Sequence, residues 1–460
     1  MSLPAQPISP LDGRYRAAVS DLGEHLSEAG LNRARVRVEV EWLIYLTDHE
    51  LFGSVRLDHE ELRQLREFAA EFGQSEIDEL ATLEATTRHD VKAVEYLVRR
   101  KLADLGLTSV AELTHFACTS EDINNLSYAI TISAAIREVW LPKFRTVIEA
   151  LRAAAIEMRD DAMLAHTHGQ PATPTTMGKE FAVFVHRLER MAVRIEAVET
   201  LGKFNGATGT YSAHLAADPA QDWPSISREF VTSLGLDWNP LTTQIESHDW
   251  QVDLYQAMSH ANRILHNLCT DIWSYISTGY FRQIPTPGAT GSSTMPHKIN
   301  PIRFENAEAN LELSSALLES LAQTLVTSRL QRDLTDSTTQ RNIGVAFGHS
   351  VLAFENIVAG LAAIDLDQQR LDADLDGNWE VLGEAIQTVI RAEVTAGRSS
   401  IADPYAVLKE LTRGKRIGQA DLVAFIDGLD IGQEAKDRLR VMTPASYAGL
   451  ASQLVDYLEA

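Results

Sequence analysis

Cysteine is scarce in this chain, which has two among its 460 residues. Cys118 and Cys269 lie in apolar stretches with helical spacing, and neither belongs to a set with metal-ligand spacing. Two isolated thiols cannot form the disulfide framework on which small exported domains depend. We therefore expect a protein of the reducing cytoplasm.

Long hydrophobic runs are also missing. Nowhere do eighteen apolar residues follow one another without interruption, and a bilayer-spanning helix needs about 20. The first residues, MSLPAQPISPLDGRY, have neither a basic start nor an apolar stretch and do not resemble a secretory signal. We expect a chain that is neither exported nor embedded in a membrane.

Positive charge is in deficit, because 41 lysines and arginines face 64 acidic residues and the formal net charge is −23. Nucleic acids and anionic membrane surfaces attract basic surfaces, so neither is an expected partner. The hydrophobic share of 45% is ordinary for a packed globular chain.

Apolar residues recur about every 3.6 positions in five long stretches, which predicts five long helices. The stretches cover 123–158, 177–198, 252–275, 304–325 and 345–361. We expect a kink at Pro142 in the first one. Helices of roughly 25 to 35 residues would form an elongated bundle. Several are apolar on more than one face, which indicates burial against other helices of the same chain or of other subunits.

The length predicts about three domains at ~150 residues each. The helical patterns are shorter on both sides of the five long stretches. We therefore predict an N-terminal helical domain over 1–112, a central long-helix domain over 113–362 and a C-terminal helical domain over 363–460.

One segment of the central domain, FRQIPTPGATGSSTMPHKINP, is crowded with Gly and Pro and predicts neither helix nor strand. Segments of this kind inside a compact domain are usually functional lids or linkers. The composition leaves both alternatives open. The family resemblance given below implies that 282–301 is the catalytic loop, a lid that closes over the substrate.

Two polar stretches have the spacing of a helix capping box, from Thr87 to Asp90 and from Thr119 to Asp122. Capping alone explains both patterns. Free amides at a helix N-terminus also bind anions, however, so capping and substrate binding are compatible.

Two further stretches leave alternatives open. The histidines of HTHGQPATP, His166 and His168, could ligate a metal, form structural hydrogen bonds or perform acid/base chemistry near neutral pH. The stretch SRLQRDLTDSTTQRN carries three arginines among hydroxyl groups. It could bind phosphate or carboxylate in bidentate fashion, or it could be a solvated turn.

The pattern Gly-Ser-Ser-x-Met-Pro-x-Lys-x-Asn-Pro, followed by Glu305, is similar to the signature of the fumarase/aspartase superfamily, whose lyases eliminate fumarate from succinyl compounds. Within it, the stretches SPLDGRY, HDVKAVEY, HFACTSEDINN, THGQPATP, TTQIESHD and SRLQRDLTDST resemble the longer bacterial adenylosuccinate lyases. The resemblance runs from about Ser9 to MTPASY and covers nearly the whole chain.

This resemblance implies an all-α, three-domain protein whose long central helices assemble into the core of a homotetramer, with each active site shared between three subunits. It implies cleavage of adenylosuccinate to AMP and fumarate. It also implies the same elimination from succinyl-aminoimidazole-carboxamide ribotide, in purine nucleotide biosynthesis. No metal and no organic cofactor is implied.

The resemblance also assigns catalytic roles. Ser292 is expected to be the general base that removes the carbon-bound proton, and His168 the general acid that protonates the departing nitrogen. Glu305 would orient His168. Lys298 would stabilise negative charge on the serine oxygen.

The remaining matched positions fall at charged or polar groups of the substrate. Nucleotide and phosphate contacts are expected at Arg14, Tyr15, Arg332, Ser337 and Arg341. Contacts around the succinyl part are expected at Thr119, Ser120, Thr167, Gln244, Ser293, Lys298 and Asn300. Further substrate contacts are expected at Arg88, His89, Asp90 and Asn306.

The chain departs from the family pattern at two places. Ala289 stands where family members often carry an acidic residue, and His166 stands where arginine is usual. Both concern the loop and the charge around His168 rather than the reaction. Two alternatives are another superfamily lyase, such as an argininosuccinate lyase, and a non-catalytic helical scaffold.

Overall fold

A computed structural model describes the chain at residues 6–285, 295, 298–412 and 417–458, and most of this part is helical. The helices up to residue 233 are α1 (Ser20–Leu26), α2 (Glu28–Asp48), α3 (His59–Ala70), α4 (Gln74–Thr87), α5 (Asp90–Asp104), α6 (Ser120–Ala135), α7 (Leu141–Glu157), α8 (Met177–Glu196), α9 (Ser212–Ala217) and α10 (Trp223–Ser233).

The helices that follow are α11 (Asp249–Thr278), α12 (Ile302–Leu325), α13 (Thr335–Gln340), α14 (Ile343–Leu361), α15 (Gln368–Asp376), α16 (Gly383–Thr395), α17 (Pro404–Thr412), α18 (Gln419–Gly428), α19 (Gln433–Arg440) and α20 (Ala451–Leu454). Shorter 3-10 or π-helical segments lie at Leu51–Gly53, Thr108–Leu113, Ile136–Trp140, Trp379–Leu382 and Val455–Leu458.

The five predicted long helices are confirmed, as α6 with α7, then α8, α11, α12 and α14. Three of them are shorter than expected, because α8, α12 and α14 have 20, 24 and 19 residues. Periodicity located the helices correctly, but it does not mark where a helix ends.

The irregularity in the first long helix precedes Pro142. Ile136–Trp140 form one π-helical turn between α6 and α7, and the Leu141 N–H donates to the Ile136 carbonyl. Proline has no N–H to donate and its ring crowds the carbonyl four residues earlier. The predicted kink therefore takes the form of a widened turn just before the proline.

Short strands form three pairs in the described part of the chain. The strands are β1 (Ala162–Thr167), β2 (Gln170–Thr176), β3 (Leu201–Gly202), β4 (Asp237–Trp238), β5 (Phe281–Gln283) and β6 (Ile364–Leu366). β1–β2 and β5–β6 are antiparallel, and β3–β4 is parallel. The fold class is all-α as expected, since these strands are few and short.

The prediction that the loop 282–301 contains no strand is wrong at Arg282 and Gln283. Both belong to β5, which pairs with the remote strand β6. A partner so distant in sequence leaves no local signal. Residues 286–294 and 296–297 of this loop lie outside the described residues.

The chain divides into two compact units that interleave along the sequence. Unit 1 comprises Met1–Arg145, Met191–Arg263 and Ala309–Glu355, and unit 2 comprises Thr146–Arg190, Ile264–Glu308 and Asn356–Ala460. The predicted domain boundaries at 112 and 362 stay a prediction, because the units are not sequential segments.

Unit 1 has an aromatic centre beside its N-terminal helices. The ring of Trp42 lies 4.5 Å from that of Phe204 and 4.9 Å from that of Phe230, measured between centroids. All three side chains are almost fully buried. They join α2 to α10 and to the segment after β3, which carries part of the site described below.

In unit 2, Gly178 allows α8 to start close to the end of α7. A Cβ atom at Gly178 would collide with the Ala155 carbonyl and with the backbone of Arg159. This close approach fixes the base of the β1–β2 hairpin, whose tip carries His168.

Within the described residues, Thr335–Leu361 is long and apolar enough to cross a membrane, with a mean hydropathy of 1.3. In the structure, 72% of its most apolar window is buried. The same composition is expected of a core helix in a soluble protein.

Candidate active site

Asp90, the first residue of α5, lies between two guanidinium groups in unit 1. Its Oδ2 is 2.8 Å from Arg35 Nη2 and 3.4 Å from Arg341 Nη2. Burial raises the pKa of the Asp90 carboxyl, but the charge of Arg35, the Val91 amide and the charge of Arg341 together outweigh burial and hold this pKa below its usual value. The structure thus brings together two predicted substrate residues.

Arg35, which the sequence analysis did not single out, is the buried partner of Asp90. It is 1% exposed, and it also donates from Nε to Asn124 Oδ1 at 2.9 Å and from Nη1 to Asn32 Oδ1 at 2.8 Å. Each of its three nitrogens therefore has an acceptor. Its surrounding stretch, NRARVRV, contains three arginines, and nothing in this pattern marks Arg35 as the buried one.

The predicted capping box from Thr87 to Asp90 is wrong. Thr87 is the last residue of α4, and Arg88 follows with a left-handed φ of 51°. This sharp turn places His89 immediately before α5, where its Nδ1 accepts from the Lys92 N–H at 3.2 Å. Arg88 and His89 are both exposed.

The predicted capping box at Thr119 is confirmed. Asp122 Oδ2 accepts from the Thr119 N–H at 2.8 Å, and Asp122 Oδ1 accepts from the Asn205 N–H at 2.9 Å. Lys203 Nζ lies 2.9 Å from the same carboxylate, and both side chains are fully buried. Thr119 and Ser120 at the start of α6 are therefore tied to the segment after β3.

The segment that leads into Thr119 has a strained backbone. His115 and Ala117 both have φ of 57°, which is unfavourable for residues with a Cβ atom. Glu39 accepts from the His115 N–H at 3.0 Å and contacts its Nδ1 at 2.6 Å. Trp42 Nε1 donates to the Phe116 carbonyl at 3.0 Å. These contacts hold the strained path.

The His115–Glu39 pair has a defined proton preference. Burial lowers the pKa of His115, but the hydrogen bond to Glu39 and the Glu39 charge outweigh it, so the pKa is raised above 6.5. Protonated His115 is thus the stabilised form.

Arg332 and Gln244 line one open cleft of about 630 Å³ in unit 1. Arg332 Nη1 is 2.7 Å from Glu121 Oε1, and Gln244 Nε2 donates to the Ala207 carbonyl at 2.9 Å. Ser337 N–H donates to Asp336 Oδ1 at 2.6 Å. Glu121 and Asp336, also missed from the sequence, restrain this arginine-rich stretch.

The remaining candidates in unit 1 are Arg341, Arg14 and Tyr15. Arg341 Nη1 is 2.6 Å from Glu28 Oε2 at the start of α2. The Arg14 guanidinium lies 5.9 Å from the centroid of the Tyr15 ring, and the Tyr15 N–H donates to the Pro10 carbonyl at 2.9 Å.

In unit 2, His168 forms the tip of the β1–β2 hairpin. It has a left-handed φ of 53° and is followed by Gly169 at 72°, as a tight two-residue hairpin turn requires. Thr167 and His168 are exposed. Across the described residues no hydrogen bond or ion pair engages the His168 ring. His166 lies 6.0 Å from the Tyr280 ring, between centroids.

The other unit 2 candidates lie around the start of α12. Glu305, in its first turn, accepts from Trp273 Nε1 at 3.2 Å, and Asn306 is the next residue. The Lys298 N–H donates to the Met295 carbonyl at 3.0 Å, and the Asn300 carbonyl accepts from the Ile302 N–H at 2.8 Å. Ser292 and Ser293 lie outside the described residues.

Comparison with known proteins identifies the family of the chain. The profile of the Lyase family matches residues 13–313, and that of the adenylosuccinate lyase C-terminal region matches 328–448. The chain is 48% identical to the adenylosuccinate lyase of Escherichia coli over 98% of both chains. Identity to the enzyme of Vibrio cholerae is also 48%, again over 98% of both chains.

The chain belongs to the adenylosuccinate lyase family.

Solved structures agree on the fold. A fumarate lyase from Mesorhizobium matches with a TM-score of 0.75 at 19% identity, over 95% of this chain and 97% of that one. A 3-carboxy-cis,cis-muconate lactonizing enzyme from Pseudomonas putida matches with a TM-score of 0.73 at 19% identity, over 96% and 97%. In this member of the adenylosuccinate lyase family the fold is therefore the one that the signature implied.

Replacing Arg35 with Met should destabilise the protein strongly. The substitution leaves the Asp90 carboxylate and two amide oxygens without their buried donor, and breaking a buried pair in this way costs about 3–5 kcal/mol. Urea denaturation at fixed protein concentration measures the change. Arg37→Met is the matched control, since Arg37 is an exposed arginine of the same helix. Equal midpoints for the two variants would contradict the role of Arg35.

Replacing Glu39 with Gln should remove a pH-dependent part of the stability. Because the folded-state pKa of His115 is raised above 6.5, the contribution of the pair is fully present below the unfolded-state pKa and is lost as pH rises through the folded-state value. The difference in melting temperature between wild type and Glu39→Gln should therefore be larger at about pH 6 than at about pH 8.5.

The matched control is Glu41→Gln, which removes a carboxylate paired with the exposed Arg66. The difference in melting temperature between wild type and Glu41→Gln should be the same at both pH values, since this ion pair contains no histidine. A constant difference for Glu39→Gln would show that the pair does not carry the proton linkage.

Proposed function

We propose that this protein eliminates fumarate from adenylosuccinate, leaving AMP, and likewise from succinyl-aminoimidazole-carboxamide ribotide in purine nucleotide biosynthesis. The observation that carries the proposal is the 48% identity to an adenylosuccinate lyase over 98% of both chains. The predicted substrate residues that meet in unit 1 support it.

The first chemical step is removal of a proton from the carbon beside a substrate carboxylate. Ser292 takes this proton, and the electron pair moves into the carboxylate to give a dianionic aci form. Fixed donors stabilise such charge far better in a water-poor site than in bulk water. Lys298 supplies a positive charge that lowers the cost of the serine alkoxide.

In the second step the carbon–nitrogen bond breaks. His168 donates its proton to the departing nitrogen as the electron pair forms the double bond of fumarate. A general acid must be reachable by the substrate, and the exposed position of His168 at a hairpin tip supports this role. Glu305 would orient the imidazole, and in the single chain its carboxylate instead accepts from Trp273.

Substrate binding depends on charge. A phosphate monoester carries about −1.5 to −2 at neutral pH, and the two carboxylates bring the total near −4. Arg14, Arg332 and Arg341 would receive the nucleotide phosphate, because guanidinium groups bind phosphate in bidentate fashion. Glu121 and Asp90 hold the last two in place before the ligand arrives.

We also propose a cytoplasmic homotetramer in which three subunits contribute to each active site. The apolar faces of the long helices support association, since a helix that is hydrophobic on several faces needs additional partners. The predicted pair of His168 with Glu305, which is not formed in the single chain, is consistent with residues arriving from different subunits.

Substitution of either proposed proton-transfer group should abolish most of the activity. Ser292→Ala and His168→Ala should each lower kcat by about 10² to 10⁴-fold, because each removes one positioned proton-transfer group. Fumarate release from adenylosuccinate, followed by its ultraviolet absorbance, measures the rate.

Ser75→Ala and His59→Ala are controls, as both residues are exposed on helices of the N-terminal region and should retain full activity. Wild-type protein should release no fumarate from argininosuccinate. Activity preserved in both Ser292→Ala and His168→Ala would refute the mechanism, and activity on argininosuccinate alone would refute the substrate.

The shared-site proposal predicts that activity depends on assembly. Light scattering should give four times the chain mass of 50.8 kDa. On dilution, specific activity should fall in parallel with dissociation, since a lone subunit lacks part of the site. A fully active monomer would overturn the shared site while leaving the reaction itself intact.

A further inference from the structure

Unit 1 contains a second cavity, which we call the arginine cavity. Its volume is about 560 Å³. It lies between α1, one face of α2, the end of α3, the last turns of α6 and the turn at Leu234–Leu236. Small residues create the space, namely Gly30, Ala34, Ala69, Ala70, Ser133, Ala134 and Gly235. None of the substrate or catalytic residues predicted above lines this cavity.

Four guanidinium groups line the cavity. Arg33 and Arg37 come from the same face of α2, because residues three and four positions apart on a helix share a face. Arg66 comes from α3, and Arg137 from the π turn after α6. Such a convergence of arginines is unexpected in a chain with a net charge of −23.

Three carboxylates partly neutralise these arginines. Arg33 pairs with Glu24 at 2.9 Å, Arg66 with Glu41 at 2.9 Å and Arg137 with Glu138 at 3.0 Å. The four positive groups exceed the three negative ones by one charge, taking His25 as neutral.

One guanidinium group is left over for a ligand. Arg37 has no hydrogen bond or ion pair to any residue in the described ranges. An anion bound in the cavity would give Arg37 the charged partner that the folded chain does not supply.

The cavity suits an organic anion better than a simple ion. Its volume falls in the usual range of small-molecule sites, about 300–1,000 Å³. Ile130, Leu234 and Leu236 add apolar wall beside the charges, and the planar guanidinium fork matches phosphate oxygens. We propose that the arginine cavity binds a small organic phosphate, at a site separate from the active site.

The active site is close enough to require a control. His25 and Thr131 line the arginine cavity and also a smaller cavity that contains Arg341, a predicted phosphate contact. A phosphate compound could therefore bind in either place. The test must distinguish the two.

Isothermal titration of the full-length protein with uridine 5′-monophosphate provides this test, with uridine as the probe that lacks phosphate. We expect the nucleotide to bind and uridine not to bind. Arg37→Met should weaken nucleotide binding by about 10-fold or more, since it removes one charge-assisted contact. Arg341→Gln should leave the affinity of the arginine cavity unchanged.

A second variant, Ala134→Phe, fills the cavity without altering its charge and should also weaken binding. The phenylalanine of Ala134→Phe could disturb folding. Because Arg37 is exposed, Arg37→Met should fold normally, and it tests the proposal without the second variant. Absence of nucleotide binding would overturn the proposal, as would binding that Arg341→Gln abolishes and Arg37→Met leaves intact. These outcomes do not depend on fumarate release, and so are independent of the proposed function.

Discussion

The arrangement of the predicted substrate residues in unit 1 depends on one buried charge. Arg35 is removed from water within α2, and a buried guanidinium is stable only when charge and hydrogen bonds compensate it. Asp90 supplies the charge, while Asn32 and Asn124 supply further acceptors. Arg35 thereby links helix α2 to helices α5 and α6. Asp90 also contacts Arg341, so the same buried charge positions an arginine that we propose to bind the substrate phosphate.

A second buried pair extends this principle to the start of α6. Asp122 and Lys203 are fully buried, and the Asp122 carboxylate also accepts from the backbone of Thr119 and Asn205. The strained approach through His115 is stable because Glu39 and Trp42 satisfy its polar groups. Local strain of this kind persists only where the surroundings determine the backbone fully. By contrast, His168 is exposed at the tip of a hairpin, which suits the general-acid role that we propose for it.

Much of the fold could be predicted because helix formation leaves a local signal. Apolar spacing near 3.6 located all five long helices, and the capping residues at Thr119 marked the start of α6. The prediction failed where a long-range or stereochemical effect decided the outcome. Arg88 has a left-handed backbone conformation, so α4 ends at Thr87 and this residue cannot cap α5. Strand β5 forms because it pairs with β6, which is remote in sequence.

The amino-acid sequence by itself determined the helices, the polar motifs and the family, since each is written in short stretches of neighbouring residues. Only the tertiary structure decided which charges meet. Arg341 and Asp90 lie 251 positions apart, and Arg332, between α12 and α13, pairs with Glu121 of α6. Arg35 and the arginine cavity were equally hidden in the sequence. The physical reason is that electrostatic pairing depends on distance in space and on burial, and local periodicity carries neither.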